Sequence, residues 1–462
     1  MRPVVVTLVL LVFAPAFAAA QQPTPPNQAA QTPQPVTQQP ASAMHPPNAQ
    51  ANQPATAVAN AMSPQAAVQA ALQQANSLQQ AIIDEQIAAE DVTQARAALL
   101  PRIRNSDTFL YNSPAHPPTS GQSFIAQNDI REYQMLVGAA GDLNLGLFAA
   151  IRRAQALLRA AHAGTEIARR ALVRSTNEAY YAAALATAKR AAAEQSLAAA
   201  QEFEHITQLN YNAGEVPEVD LIRARLQTAA RRDDLASARE AEIIANAMLG
   251  TLIGYGISRT PGIAPLPQTI DPAEIGRLTQ EGVARRPEFA QLEAQVQAAR
   301  EEIAVGRADY WPKITYSVDE GFDSPSLNPD VLRQHRGVLA TANVDWTLFD
   351  WGATHSRQRQ AQLRLQSAQL QQRLAGRSLY LEFATARQEA TNAAERVDND
   401  RRALADAERN VTISIARYRA GEAPITEATD ALTTRAQQRL ALEQALYDFQ
   451  VALGHLQEAT AR

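Results

Sequence analysis

The segment Tyr211-Asn212-Ala213-Gly214-Glu215-Val216-Pro217 returns 207 positions later as Tyr418-Arg419-Ala420-Gly421-Glu422-Ala423-Pro424. Tyr, Ala, Gly, Glu and Pro keep their order and spacing. A chain that repeats half of itself uses one architecture twice, so any fold assigned to it must divide into two like halves. Further landmarks agree. Ser63-Pro64 returns as Asp271-Pro272, Arg96-Ala97 with Pro101 and Ile103 as Arg307-Ala308 with Pro312 and Ile314, and Leu147-Phe148 as Leu348-Phe349. The offsets drift by a few residues because loops accept insertions that packed elements do not.

Proline marks the joints of each half. None occurs from Gln65 to Leu100, from Thr119 to Val216, from Asp330 to Ala423, or after Pro424. The runs between are Ala, Leu, Gln, Arg and Glu, all strong helix formers. The runs from about Ala149 to Asn210 and from Gly352 to Arg417 predict helices of roughly 60 residues, about 90 Å each. Such lengths survive only by packing along partners. Apolar residues at three- and four-residue spacing (Leu172, Tyr180 and Leu185, then Phe203, Ile206 and Leu209) supply the seam. Many sites between are Ala, which lets helix axes approach closely. Ser63 and Asp271, each followed by Pro, are N-cap signals, and Asp271 with Glu274 has capping-box spacing.

The pattern changes from Pro101 to about Phe148 and again from Pro312 to about Asp350. Both stretches read as strand pairs, with loops near 112–128 and 323–336. The clearest alternation puts Val338, Ala340, Ala342, Val344, Trp346 and Leu348 on one face and Leu339, Thr341, Asn343, Asp345 and Thr347 on the other. Strands of about 10 residues, apolar outward and polar inward, have the dimension of a transmembrane β-barrel. All three tryptophans, Trp311, Trp346 and Trp351, bracket the second pair, as a membrane-interface girdle would place them. Four strands cannot close a barrel, since the smallest known have eight. Either they form a small soluble sheet or several chains contribute four each; three chains would give twelve.

The 462 residues carry a net charge of −5, which gives no reason to expect nucleic acid as a partner. The chain has no cysteine, excluding disulfides, thiolate metal sites, a Cys nucleophile and a lipidated N-terminal Cys. Arg2, the apolar run Val4–Phe13, Pro15 and the small residues Ala16–Ala20 read as a cleaved secretory signal peptide over residues 1–20. Residues 21–60 are rich in Gln and Pro, lack charge, and read as an extended leader. The halves follow: residues 61–260, with strands at about 102–148 and a turn at 211–217, then residues 261–462, with strands at about 313–350 and a turn at 418–424.

Four motifs carry a resemblance. They are Arg286-Pro287-Glu288-Phe289; Tyr310-Trp311-Pro312-Lys313-Ile314; Trp346 with Leu348-Phe349-Asp350-Trp351-Gly352; and Tyr418 to Gly421 followed by Ile425 and Asp430. In this order and spacing, over about residues 61–462, the chain resembles the TolC-like outer-membrane efflux protein family. The resemblance implies a mainly α fold with a membrane β-barrel. Duplicated long helical hairpins would form an α-helical tunnel, and four strands per protomer would share a twelve-stranded trimeric barrel. It implies a homotrimer in outer-membrane lipid, coupled to a periplasmic adaptor and an inner-membrane transporter; export follows from the signal peptide, and because lipidated relatives carry an N-terminal Cys that this chain lacks, anchoring must come from the barrel. The function implied is a passive exit duct of a tripartite efflux or type I secretion system.

The two Gly-turn-Pro segments are the candidate functional ends. Gly214 and Gly421 fit helix C-caps, Pro217 and Pro424 fit first-turn positions of the next helix, and Glu218, Asp220, Glu427 and Asp430 fall near helix N-termini. Repeated around an axis, such acids make a ring that repels anions and holds cations. By the resemblance, Tyr418, Glu427 and Asp430 line the periplasmic aperture. Tyr211, Gly214, Glu215, Pro217, Asp220, Gly421, Glu422 and Pro424 form the adaptor-docking tips. The basic residue of some relatives' turns falls on Ala423, leaving Arg417 or Arg419 to substitute. The first half departs from the family's strand exit, reading Leu147-Phe148-Ala149-Ala150-Ile151 without its Asp and Gly.

There is no P-loop, His-Glu-x-x-His or Gly-x-Ser-x-Gly, and the seven histidines lack metal-ligand spacing. We therefore expect no enzyme and no cofactor. The competing reading is a periplasmic coiled-coil adaptor or tether without a barrel; the alternating strands and the tryptophans discriminate against it.

Overall fold

A computed structural model of the chain describes residues 61–461 except 75, 115–122, 124–128 and 256–261. The signal peptide, the whole of the Gln/Pro leader and most of the loop near 112–128 lie outside the described residues. In chain order the first half holds α1 (Pro64–Leu72), α2 (Ser77–Ala97), β1 (Arg102–Tyr111), β2 (Arg131–Leu143), α3 (Leu145–Asn212) and α4 (Glu218–Ile253). The second holds α5 (Ala273–Arg277), a 3-10 turn (Gln280–Arg285), α6 (Pro287–Ala308), β3 (Lys313–Ser324), α7 (Pro329–Gln334), β4 (Arg336–Asp345), α8 (Ala353–Arg419) and α9 (Ile425–Ala459).

The helices α3 and α8 have 68 and 67 residues. At 1.5 Å per residue each runs for about 100 Å. Their buried faces are largely alanine with a few large side chains, for example Ala386, Ala390, Ala393 and Ala394 beside Phe383 and Val397 on α8. Small residues let backbones pack closely; the large ones fill the remaining gaps. α3 packs on α2, α4, α6 and α9, while α8 packs mainly on α9 and α6.

The sequence led us to expect each half to open on one helix; instead each opens on two pieces. Ser63 Oγ accepts from Ala66 N at 3.2 Å and starts α1, which ends nine residues later. Asn76 then caps α2, accepting from Leu78 N at 2.9 Å, and its amide donates to Ala71 O at 2.7 Å, joining the two helices across the break. Asp271 accepts from Ala273 N, but α5 has only five residues. The main helix of that half begins at Pro287. The loop expected near 323–336 contains α7, capped by Asn328.

Arg286, just before α6, is only 4 % exposed. Its guanidinium donates to Glu288 at 2.6 Å and to Glu382 of α8 at 3.0 Å. Burial pulls its pKa down, but the bonds and charges of both acids win and raise it. The Arg-Pro-acidic motif is thus a clamp between the head of α6 and the middle of α8. A second tie joins the halves at Tyr180, whose hydroxyl donates to Met62 O at 2.7 Å and accepts from Ala264 N at 3.2 Å.

The strands form one antiparallel sheet in the order β1-β2-β3-β4. Its register separates two faces. Ile103, Val137, Ala139, Val318, Ala340 and Val344 share one; Arg102, Arg104, Ser317, Asp319, Thr341 and Asn343 share the other. On the polar face Asp319 accepts from Ser317 Oγ at 2.8 Å and lies 3.7 Å from Arg104. Gly138 faces it across the ladder, where a Cβ would stand 2.2 Å from the Asp319 carboxylate.

Candidate functional site

The two repeat turns have nearly the same backbone. At the first, Gly214 has φ 76°, Gly214 N donates to Tyr211 O at 3.0 Å and Glu215 N to Asn210 O at 2.9 Å. At the second, Gly421 has φ 71°, Gly421 N donates to Tyr418 O at 3.0 Å and Glu422 N to Arg417 O at 2.9 Å. This is a glycine-closed helix end, and only the left-handed φ demands glycine, since a Cβ at either site meets nothing within 4 Å. The prolines stand just before the first turn rather than within it. Pro217 and Pro424 are N-caps with ψ 157°, and α4 and α9 begin at Glu218 and Ile425. A residue at the cap keeps an extended ψ, which the chain needs to reverse direction before the helix starts.

The equivalent tyrosines diverge. Tyr211 is exposed, whereas Tyr418 is buried among Phe203, Ala224, Val411, Ile425, Ala428, Ala431 and Leu432. Its ring meets Phe203 at 5.3 Å between centroids. This cluster joins α3, α4, α8 and α9, so both hairpins share one apolar knot near their tips. The Tyr418 hydroxyl is enclosed without a hydrogen bond of good geometry. Burial pushes its phenol pKa up; nearby Thr207 pulls down, and the Asp220 carboxylate adds to the rise. Phe203 is a site residue that sequence reasoning placed only in the apolar seam, because its turn-proximal role arises from a contact 215 positions away in sequence.

The acids separate as well. Glu427, in the first turn of α9, is held by Arg417 of α8, Nη1 to Oε1 at 2.5 Å. Asp430, one turn on, is exposed and makes no ion pair among the described residues. Asp220 lies 3.8 Å from Arg223. Glu215, Pro217, Glu422 and Pro424 are exposed on the turns themselves.

At the other end of the long helices the tryptophans stand clear of the protein. Trp311, Trp346 and Trp351 are all exposed, Trp351 at 91 %. Trp346 Nε1 donates to Tyr310 O at 3.1 Å, tying the two strand ends. Trp351 has φ 55° and Gly352 φ 85°. Asp350 fixes that turn by accepting from Gly352 N at 3.2 Å, Thr354 N at 2.6 Å and Thr354 Oγ1 at 2.5 Å. The first half reaches its long helix differently, with Asn144 accepting from Gly146 N at 2.7 Å. That explains how it dispenses with the Asp and Gly of the second.

No helix among the described residues is long and apolar enough to cross a membrane. The sheet presents an exposed apolar face, and within the protomer its edges β1 and β4 pair with nothing among the described residues.

A family model described as outer membrane efflux protein matches residues 67–255 and 278–462. Solved structures share the fold at low identity. The Campylobacter jejuni CmeC outer membrane channel aligns with a TM-score of 0.75 and 18 % identity, over 86 % of this chain and 85 % of that one. The Vibrio cholerae outer membrane protein VceC gives 0.74 and 19 %, over 86 % and 95 %. The open state of the Neisseria gonorrhoeae MtrE outer membrane channel gives 0.73 and 19 %, over 86 % and 88 %.

Proposed function

Because the chain belongs to the outer membrane efflux protein family, we propose that three copies assemble into one passive exit duct, twelve strands closing a barrel and the long helices forming the wall of a tunnel. The chain is an outer-membrane efflux channel component. The observation that carries the assembly is the sheet: four antiparallel strands with one apolar face and, among the described residues, both edges unpaired. Lipid tolerates no open edge, so the edges must pair with other copies.

On this reading Trp311, Trp346 and Trp351 anchor the inner interface of the outer membrane. The Asp350 turn holds Trp351 outward in a conformation that non-glycine residues rarely take. The turns 211–217 and 418–424 form the periplasmic tips and take a periplasmic adaptor. An inner-membrane transporter supplies the energy, and the leader over 21–60 follows a cleaved signal peptide. Glu427 and Asp430 line the aperture, while Tyr418, packed on Phe203, holds the two hairpins together behind it.

The test is fractionation followed by planar-bilayer recording. Full-length protein should partition with outer membranes, run as a heat-modifiable trimer and conduct. A soluble periplasmic monomer would sink the duct and restore the adaptor reading.

A further inference from the structure

A cleft of about 970 Å³ lies over the α3–α6 pair. Sites that take small organic molecules have roughly 300–1,000 Å³. The cleft exists because its floor is alanine. Ala163 of α3 and Ala290 and Ala294 of α6 present only a methyl group where a larger side chain would fill the space. Leu158 adds to this apolar surface. The flanking helices supply the side walls. On one side stands Glu85 of α2, paired with His162 at 2.8 Å; on the other stands Gln372 of α8. Along α6 the cleft runs from Pro287 to Arg300, about 20 Å at 1.5 Å per residue.

The charges around it do not cancel. Glu85 is taken by His162, and Glu166 by Arg169 and Arg170. Arg159 and Arg300 line the cleft and make no hydrogen bond or ion pair among the described residues. Glu293 is free in the same sense. Two unpaired guanidiniums therefore meet one unpaired carboxylate.

The free charges are also spread unevenly. The Arg152–Glu301 pair sets the levels of α3 and α6, which run antiparallel, and puts Arg159 beside Ala294 of the floor. Arg300 stands about 9 Å nearer the strands, and Glu293 is about 10 Å from Arg300 along α6. The positive excess thus lies at the strand-side end. A guanidinium is always charged and weakly hydrated, so it binds oxyanions well at the edge of an apolar surface.

We propose that this cleft binds a small organic anion, its apolar body on the alanine floor and its carboxylate or sulfonate between Arg159 and Arg300. The side walls favour a diffusible molecule, since the surface of a partner protein would have to pass between Glu85 and Gln372 to touch the floor. An amine of the same shape would meet the guanidiniums and be repelled. The cleft lies within one copy of the chain, so its occupancy does not depend on assembly of the duct.

Full-length protein in detergent, titrated calorimetrically with naphthoate, supplies the test. Naphthylmethylammonium is the charge-reversed twin, and protein-free detergent is the blank. Naphthoate should bind saturably and the amine roughly tenfold more weakly or worse. Arg159→Gln with Arg300→Gln should lower naphthoate affinity by roughly tenfold or more, as the loss of charge-assisted hydrogen bonds requires. Ala290→Phe, at an exposed position, should abolish binding by filling the floor. Glu293→Gln should leave binding unchanged or tighten it, because it removes the opposing charge. Equal binding of both naphthalenes would overturn the role of the arginines. Undiminished naphthoate binding in the double arginine variant or in Ala290→Phe would overturn the cleft as the site, and so would the absence of saturable heat. Both arginines are exposed, so their double variant keeps the fold and decides the matter should Ala290→Phe fail to assemble.

Discussion

Arg417 Nη1 lies 2.5 Å from Glu427 Oε1, so the last turn of α8 is pinned to the first turn of α9 across the Gly421 turn. Arg417 also supplies, through its carbonyl, the acceptor that closes the same turn. One residue therefore ties the tip by backbone and side chain together.

Because Arg417 is exposed and Glu427 only half-buried, theirs is a surface ion pair worth about 0.2–1 kcal/mol. We expect Arg417→Ala or Glu427→Ala to leave folding unchanged while raising single-channel conductance in planar bilayers. Asp430→Ala, which breaks no ion pair among the described residues, should reduce cation preference without changing stability. Unchanged conductance and ion preference in all three would count against an aperture at this turn.

Tyr418 gives a sharper contrast. Its ring fills the knot with Phe203, and its hydroxyl is enclosed and unbonded. Tyr418→Phe should be neutral or stabilising, by up to about 1 kcal/mol, since an unsatisfied polar atom is removed. Tyr418→Ala should cost about 3–5 kcal/mol through the cavity it leaves. The raised phenol pKa has a sign: stability from the neutral phenol is complete below the unfolded value and declines as alkaline pH passes through the folded one. Urea unfolding across alkaline pH should lose part of its pH dependence in Tyr418→Phe.

Removing the Arg286 clamp should destabilise the helical region. The guanidinium is buried, but Glu288 and Glu382 are partly solvated, so the loss should fall below the 3–5 kcal/mol typical of a fully buried pair, at about 1–3 kcal/mol. Arg286→Lys should not rescue it, because one ammonium cannot span both acids in fork geometry. Denaturant midpoints of the three proteins decide the matter.

In the sheet, Gly138→Ala should push Cβ into the Asp319 carboxylate and cost about 1–3 kcal/mol. Asp319→Gly in the same chain should recover part of that loss. The melting temperature of the heat-modifiable oligomer is the readout. Equal melting of Gly138→Ala and parent would show that the strands can separate locally at no cost.

The sequence by itself determined a mainly helical fold built twice, with long helices between proline joints and four strands per chain. These features are local: proline placement, alanine-rich runs and apolar alternation act through backbone preferences and side-chain period over a few residues. The alternation Val338–Val344 was legible because a strand shows one face at every second residue. Tertiary structure alone decided which copy of a repeated residue is enclosed. Tyr211 and Tyr418 are followed by the same Ala, Gly, Glu and Pro at the same spacing, yet only Tyr418 packs on Phe203, and that pairing depends on how distant helices lie together. It also decided that Arg286 reaches Glu382, and that Arg417, not the residue at 423, holds Glu427. Periodicity reports which side of an element is buried; it carries no information about what is buried against it.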